Sequence, residues 1–182
     1  NRVHLQIEAI KAGFFLAHRH VADLGAMTVS TDHLLDEALL ARCASNISLD
    51  RTHTPDIEIK PDKGTVYLAT ADANGMMVSM IQSHYGDFGA GMVVPNTGIS
   101  MQNRGKGFVT QAGHPNQVAG GKRPYHTIIP AFATRGRDPF MAFGVMGGHH
   151  QPQGQVQVLN AILHDGCSPQ QALDAPRWHV HE

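Results

Sequence analysis

Apolar side chains recur at spacings of three to four residues in two stretches near the N-terminus. This pattern predicts amphipathic helices over residues 3–20 and 32–47, because 3.6 residues complete a helical turn. The apolar positions are Val3, Ile7, Ile10 and Phe14 in the first stretch, and Leu35, Leu39, Cys43 and Ile47 in the second. Ser30, Thr31 and Asp32 are residues of the kind that cap helices, and they predict where the second helix begins. Both helices are interpreted as packing elements.

From Thr65 onward the pattern changes to short apolar runs separated by turn residues, which is typical of strands. Strands are predicted near residues 65–72, 76–83, 91–94, 98–102, 126–134 and 140–146. Asn74 and Gly75 separate the first two runs, and an Asn-Gly pair in this position predicts a hairpin with a type I′ turn. Helices, then strands, then helices again, without βαβ alternation, predict sheets covered by helices.

Two further helices are predicted near the C-terminus. The first, over residues 154–165, is indicated by apolar residues on one face: Val156, Leu159, Ile162 and Leu163. The second is indicated by a capping box, with Ser168 as N-cap and Gln171 at the third helical position, and by Pro169 at the first helical position. This last helix is interpreted as structural.

Three segments between the elements are rich in polar residues or glycine. Residues 48–64 contain two prolines and are interpreted as an exposed linker, where chains tolerate cutting. Residues 84–91 form a glycine-rich loop that lets backbone approach a ligand, but they lack the ending of a phosphate-binding loop. Residues 104–124 hold five glycines and four basic side chains, and irregular segments of this length are uncommon unless functional or mobile.

Composition excludes several classes of function. The 182 residues are 42% hydrophobic, enough for a domain with a core, and the net charge of −1 gives no electrostatic reason to expect nucleic acid or anionic membrane as a partner. No apolar run approaches the roughly 20 residues that span a bilayer. Cys43 and Cys167 lack metal-ligand spacing, and the thirteen histidines include no HExxH frame. No cofactor or metal is predicted, although a metal-binding histidine cluster remains an alternative.

Thr65 is the candidate nucleophile. If the Gly64–Thr65 bond were cut, Thr65 would carry a free α-amine beside its own hydroxyl. Such an amine has a pKa of about 7.7–8.0, so it can act as general base for that hydroxyl. A nucleophile and its base in one residue is a known alternative to the serine triad. On this stretch alone, a Gly-Thr pair that merely begins a strand remains an open alternative.

Four stretches together resemble the gamma-glutamyltransferase family of N-terminal-nucleophile hydrolases, in the branch near acylases and oxamate amidohydrolase. They are GTVYLATADANGMMVSMIQS, FGAGMVVPNTGISMQNRG, GKRPYHTIIPAF and FGVMGGHHQPQGQVQVLNAILHDGCSPQQALDAPRWH. The resemblance implies an α+β fold, part of a four-layer αββα sandwich. It also implies a precursor that cuts itself between Gly64 and Thr65. Residues 1–64 would then be the C-terminal helical part and linker of the large subunit, and 65–182 the small catalytic subunit, together one domain.

The resemblance further implies an amide-bond hydrolase or acyltransferase that forms an acyl-enzyme from gamma-glutamyl or related amides, assembled as a heterodimer or a dimer of heterodimers. Thr65 would be the nucleophile, and Ser83, 18 positions later, would hydrogen-bond to it. Gly147 and Gly148 would supply oxyanion-stabilising N–H groups. Ser83 as an ordinary strand hydroxyl, and the glycine pair as a helix–strand packing point, remain the alternatives.

The substrate-binding positions depart from the family's pattern. The resemblance places them at five residues: Tyr85, Asn103, Arg104, His126 and Thr127. Arg104 stands where the family has the Gln of a Gln-x-x-Asp motif, and Gly107 stands where it has the Asp. The site therefore gains a positive charge and lacks the carboxylate that would bind an α-ammonium. This predicts an acyl group that ends in a carboxylate and lacks an α-ammonium. A surface or intersubunit salt bridge is the alternative for Arg104.

Two other interpretations remain open at this point. A non-catalytic relative would keep the fold as a binding or structural protein, with an uncut Gly64–Thr65 bond. A metal protein would use the histidine pairs. The chain begins at Asn1 without a Met start or signal-like segment, so we expect a fragment that is inactive alone, and its localisation is not predicted.

Overall fold

A computed structural model describes residues 2–53 and 64–181. Its helices are α1 (Arg2–His20), α2 (Thr31–Leu34), α3 (Glu37–Ser45), α4 (His150–Leu163) and α5 (Pro169–Asp174). Its strands are β1 (Thr65–Ala71), β2 (Met77–Ser83), β3 (Ala131–Arg135) and β4 (Asp138–Phe143), and short 3-10 turns lie at Leu24–Ala26 and Arg104–Gly107. The order of helices, antiparallel strands and helices is that of an α+β chain.

These residues form two compact units. The first combines residues 2–53 with 105–126, and the second combines residues 64–104 with 127–181. A segment that follows Thr65 in sequence therefore packs with the N-terminal helices. Most of the predicted linker over residues 48–64 lies outside the described residues.

The predicted helix over residues 32–47 was wrong as a single element, because the chain breaks between α2 and α3. Ser30 caps α2 by accepting the His33 N–H at 3.1 Å, and Asp36 caps α3 by accepting the Leu39 N–H at 2.9 Å. An aspartate bonds nearby backbone N–H groups more readily at a helix start than inside a helix. Asp36 therefore ends one helix and begins the next.

Glu8 is a buried carboxylate on α1 that ties this helix to residues further along the first unit. It accepts hydrogen bonds from Lys11 Nζ at 2.7 Å and from the His53 N–H at 2.9 Å. Burial by itself raises the pKa of Glu8, but the hydrogen bonds from Lys11 and His53 outweigh it and hold the pKa below its usual value. The ionised form is thus the one that stabilises this unit.

We expect Glu8→Leu to lower the free energy of unfolding by about 1–3 kcal/mol at neutral pH, because Lys11 and His53 lose their acceptor. Since the folded-state pKa is depressed, this contribution is complete above the unfolded-state pKa and is lost as the pH falls through the folded value. Thermal unfolding of wild type and variant across this range checks the prediction, with Asp50→Asn, an exposed site, as control. A difference that persists in strong acid would contradict it.

In the second unit, β1 and β2 form an antiparallel hairpin whose register pairs Thr65 with Ser83 and Ala71 with Met77. The type I′ prediction for its turn was wrong, because Gly75 has φ +83° while Asn74 is not left-handed. Asp72 accounts for the difference: its carboxylate accepts the Asn74 and Met76 N–H groups, both at 2.9 Å. The connection is a three-residue loop with one left-handed glycine.

Strands β3 and β4 form a second antiparallel pair, with an irregularity between Ala133 and Thr134. Both are displaced from the predicted positions 126–134 and 140–146. The predicted strands 91–94 and 98–102 were wrong as full strands. The two segments meet in an isolated bridge between Val93 and Ser100, with the Met101 N–H donating to the Met92 carbonyl at 2.9 Å and the Val94 N–H to the Ile99 carbonyl at 2.8 Å. The left-handed Asn96, with φ +62°, turns the chain back before a longer ladder forms.

The two strand pairs meet through Tyr67 and Ser79. The Tyr67 hydroxyl lies 3.0 Å from Ser79 Oγ, which donates to the Phe143 carbonyl at 3.2 Å. A Cβ on Gly144 would clash with the Tyr67 ring, so this glycine permits the contact.

Helix α4 begins at His150, four residues earlier than predicted, and Pro152 fits in its first turn. The predicted capping box of Ser168 and Gln171 is present at α5, with Pro169 at the first helical position.

Candidate active site

Thr65 is the first residue of β1 and Ser83 is the last residue of β2, and the two lie directly opposite each other. In such a pair the Cβ atoms are about 4.5–5.5 Å apart. Both side chains are half-buried. Ser83 Oγ accepts the Tyr85 N–H at 2.9 Å, which leaves its hydroxyl proton free to point elsewhere. The hairpin therefore places two hydroxyl side chains together at its open end.

Gly64 precedes this pair in a conformation that suits glycine. Its φ is +104°, in the left-handed region. A Cβ at this position would lie 3.0 Å from the Asp87 carbonyl oxygen, a backbone atom that cannot turn away. Backbone conformation and close packing both require glycine on the N-terminal side of the Gly64–Thr65 bond.

The loop after Ser83 contains two non-glycine residues with positive φ, Tyr85 at 78° and Asp87 at 44°. Asn103 fastens this loop. Its Oδ1 accepts the Gly86 N–H at 2.9 Å, and its Nδ2 donates to the carbonyls of Gly86 at 3.3 Å and Gly89 at 3.0 Å. Both amide N–H groups of Asn103 are thus bonded to loop backbone.

Arg104 brings a fixed positive charge next to this loop. It is 3% exposed, and its guanidinium lies over the Tyr85 ring with 5.3 Å from Cζ to the ring centroid. Its Nη1 donates to Thr127 Oγ1 at 3.1 Å, and Thr127 is also buried. Tyr85, Arg104 and Thr127 therefore form one buried cluster within the second unit.

His126, another of the predicted substrate-binding residues, is exposed and belongs to the first unit, whereas Thr127 begins the next segment of the second unit. The other predicted residues, Thr65, Ser83, Tyr85, Asn103, Arg104, Thr127, Gly147 and Gly148, all lie in the second unit.

Gly147 and Gly148 lie in the turn from β4 into α4. Both have positive φ, at 116° and 53°. Their carbonyls accept the N–H groups of His150 at 2.8 Å and Gln151 at 3.0 Å, which starts the helix. The N-terminus of a helix favours negative charge, so this turn can stabilise an oxyanion.

A sequence model described as gamma-glutamyltranspeptidase matches residues 1–182. The chain belongs to this family. It is 37% identical over 176 residues to the oxamate amidohydrolase proenzyme of Klebsiella pneumoniae, covering 97% of this chain and 33% of that protein. It is 34% identical over 175 residues to the glutathione hydrolase-like YwrD proenzyme of Bacillus subtilis, covering 96% of this chain and 33% of that protein.

Solved structures of the gamma-glutamyltranspeptidase family share the fold. The cephalosporin acylase from Bacillus halodurans superposes with a TM-score of 0.89 at 46% identity, covering 98% of this chain and 32% of the acylase. The gamma-glutamyltranspeptidase from Pseudomonas nitroreducens complexed with L-DON has a TM-score of 0.59 at 25% identity, covering 63% of this chain and 65% of that one. The chain thus contains part of the N-terminal-nucleophile hydrolase fold, and spans about a third of the curated relatives.

A row of glutamines on α4, which the sequence analysis did not single out, holds neighbouring segments of this family member in place. Gln151 and Gln153 are 0% exposed. Gln151 accepts the Ile129 N–H at 3.1 Å, Gln153 accepts the Val180 N–H at 2.8 Å, and Gln157 accepts the Trp178 N–H at 2.9 Å. Repeated glutamines within one amphipathic helix were the signal that could have indicated this role.

Histidines cluster near the start of α4 in the same unit. The rings of His150 and His179 are 4.7 Å apart, and those of His179 and His181 are 4.1 Å apart. Burial lowers the pKa of His150 and of His179, and neighbouring charged groups add to the effect. Across residues 2–53 and 64–181, no group of three or more histidine, cysteine or acidic side chains is arranged to hold a metal ion.

None of the helices within residues 2–53 and 64–181 is both long and apolar enough to cross a bilayer.

Proposed function

We propose that the full-length protein containing this chain is an amide hydrolase or acyltransferase that cuts itself before Thr65 and then uses Thr65 as its nucleophile. One observation carries the proposal: Thr65 begins β1 opposite Ser83, directly after a left-handed Gly64 that packs on the Asp87 carbonyl. Membership of the family supports it, as do relatives named as proenzymes of oxamate amidohydrolase, glutathione hydrolase and acylase.

Self-cleavage is an acyl shift followed by hydrolysis. Thr65 Oγ attacks the Gly64 carbonyl carbon, the Gly64–Thr65 C–N bond breaks, and the hydroxyl proton ends on the Thr65 nitrogen. The product is an ester between Gly64 and Thr65 Oγ. Water hydrolyses this ester and leaves the Gly64 carboxylate, the Thr65 hydroxyl and a free Thr65 amine. In the uncut chain that nitrogen is an amide, so the general base exists only after cleavage.

Turnover repeats this chemistry on a substrate. The Thr65 amine takes the hydroxyl proton as Oγ attacks an amide carbonyl, and the proton passes to the departing amine. Water or an acceptor amine then releases the acyl group from Oγ. Ser83 lies opposite Thr65 and would donate a hydrogen bond to Thr65 Oγ, because accepting the Tyr85 N–H does not use the Ser83 hydroxyl proton. The N–H groups of Gly147 and Gly148 stabilise the oxyanion, where losing one donor typically costs about 10²–10³ in kcat.

The acyl group that suits this site carries a carboxylate. The charge of Arg104 is held by Thr127 and by the face of Tyr85, whose N–H bonds Ser83 beside the nucleophile. A guanidinium binds a carboxylate with two parallel hydrogen bonds, and a cation here opposes an α-ammonium. Glutaryl or oxamate-type amides satisfy both conditions, whereas a gamma-glutamyl group brings an ammonium with its carboxylate.

The first compact unit supports a mature enzyme of two cut subunits that stay together. Residues 2–53 would belong to the large subunit and residues 105–126 to the small one. Asp23 Oδ2 accepts the Arg123 N–H at 3.0 Å, and the rings of His18 and Tyr125 meet edge-on at 5.3 Å. These contacts would hold a heterodimer after the peptide bond is lost.

The test is intact mass spectrometry with N-terminal sequencing of the full-length wild type, Thr65→Ser and Thr65→Ala. We expect wild type and Thr65→Ser to yield a small subunit that begins at residue 65, because both keep a hydroxyl. Thr65→Ala should remain uncut. An uncut wild type would overturn the proposal in favour of a non-catalytic binding protein. For the mature enzyme, faster turnover of gamma-glutamyl anilides than of glutaryl or oxamate-type amides would overturn the substrate assignment.

A further inference from the structure

The loop of residues 84–89 adopts a conformation that its sequence does not favour. Tyr85 and Asp87 have φ values of 78° and 44°, in the left-handed region that side chains larger than glycine rarely enter. Such residues persist where the surroundings over-determine the backbone, and they concentrate at functional sites.

Asn103 holds the loop by four hydrogen bonds. Its side chain accepts the Gly86 N–H at 2.9 Å and donates to the carbonyls of Gly86 at 3.3 Å and Gly89 at 3.0 Å. Its backbone N–H donates to the His84 carbonyl at 3.0 Å. Since both amide N–H groups are bonded to loop backbone, the side chain is occupied with the loop and has no N–H left for a substrate.

The loop in turn packs on the residue that would be cut. The Asp87 carbonyl oxygen lies 3.0 Å from the position of a Cβ on Gly64, and the Asp87 nitrogen lies 3.4 Å from it. Backbone thus closes one side of Gly64, whose φ is +104°. If the loop moved away, Gly64 could leave this conformation and its carbonyl would turn relative to Thr65 Oγ.

We propose that Asn103 is a positioning residue for self-cleavage, which keeps the loop of residues 84–89 against Gly64 so that the Gly64 carbonyl faces the Thr65 hydroxyl. This rests on the proposed self-cleavage at Thr65, and it assigns Asn103 to precursor maturation rather than to acyl-group recognition. The effect is one of orientation, where a displacement of about 1 Å can cost about 10² in rate. After cleavage Gly64 is a chain end, and the constraint no longer acts on the nucleophile.

The experiment follows the cleavage rate of full-length wild type and Asn103→Leu by intact mass. We expect Asn103→Leu to cleave about 10²-fold more slowly. Asn103→Asp keeps the Oδ1 that accepts the Gly86 N–H but loses the two N–H donors, so its cleavage rate should lie between those of wild type and Asn103→Leu. The fraction of Asn103→Leu that does mature is assayed on the substrate that wild type turns over, which tests for a role in substrate binding.

Asn116→Leu is the matched control. Asn116 is a buried asparagine that, like the half-buried Asn103, holds backbone: it accepts the Tyr125 N–H at 2.8 Å and donates to the Gly107 carbonyl at 2.6 Å, but it belongs to the first unit. Its loss should lower the melting temperature about as much as Asn103→Leu does, with cleavage at the wild-type rate.

Three outcomes would overturn the inference while leaving Thr65 as nucleophile. Asn103→Leu could cleave as fast as wild type. The two leucine variants could slow cleavage equally, which would indicate general destabilisation. Mature Asn103→Leu could show a raised KM after normal processing, which would make Asn103 a substrate-binding residue. A wild type that never cleaves would instead overturn the proposed function itself, and this inference with it.

Discussion

We expect Gly64→Val to leave the full-length precursor uncut, and Gly64→Ala to cleave it slowly. A side chain at residue 64 meets two separate penalties. The left-handed conformation costs a non-glycine residue about 1–2 kcal/mol, equivalent to about 5- to 30-fold in an equilibrium. The Cβ would also lie 3.0 Å from the Asp87 carbonyl oxygen. Alanine has to shift by a few tenths of an ångström, whereas the branched valine forces Gly64's backbone away from Asp87.

Gly75→Ala is the matched control for this prediction. Gly75 is also left-handed, with φ +83°, but nothing lies within 4 Å of a Cβ at the tip of its hairpin. It carries the conformational penalty without the clash and lies at the opposite end of β1 from Thr65. In time courses of small-subunit formation, we expect Gly75→Ala to cleave at the same rate as wild type. Normal processing of Gly64→Val would show that the contact with Asp87 has no part in cleavage.

The sequence predicted those local features that depend only on a few neighbouring residues. The capping box at Ser168 and Gln171 needs only residue types at fixed spacing, and it is present. The turn at Asn74 was misread because Asp72, two residues away, supplies a carboxylate that bonds the loop backbone. Asp36 similarly divides one apolar pattern into two helices. In both cases an aspartate competed successfully for backbone N–H groups.

Of the candidate site, the relation of Ser83 to Thr65 was implied by the family resemblance and not by the hairpin pattern. The predicted two-residue turn at Asn74 and Gly75 would set Thr65 opposite His84, and the observed three-residue loop sets it opposite Ser83. The contacts of Gly64 with Asp87 and of Asn103 with the loop join residues far apart in sequence. No periodicity encodes them, because they depend on how the loop folds back over the hairpin.

The surroundings of Arg104 are known only from the structure. As a sequence position it could equally have been a surface cation, but it is 3% exposed, donates to the Thr127 hydroxyl and lies over the Tyr85 ring. A guanidinium is always charged and presents several N–H donors in a fixed geometry. Its guanidinium lies over the ring of Tyr85, whose N–H bonds Ser83, and this position suits the proposed role of distinguishing substrates by the charge of their acyl end.

We therefore expect Arg104→Gln to lower kcat/KM of the mature enzyme for carboxylate-bearing acyl amides by about 10- to 150-fold. This corresponds to about 1.5–3 kcal/mol for hydrogen bonds to a charged group. Because glutamine keeps an N–H donor for Thr127, the variant removes the charge more than the packing. Amides of uncharged acyl groups, which make no use of the charge, should lose little, so the ratio between the two substrate types is the quantity to measure.

Arg135→Gln is the control, since Arg135 also lies over an aromatic ring, that of Phe140 at 4.1 Å, but is exposed on β3. It should change neither rate nor the ratio between substrates. If Arg104→Gln lowered turnover of charged and uncharged acyl amides alike, Arg104 would be supporting the site through Tyr85 and Thr127 rather than reading the substrate. A higher KM for both substrate types, with an unchanged ratio between them, would lead to the same conclusion. A site that has lost its geometry binds charged and uncharged acyl groups equally poorly.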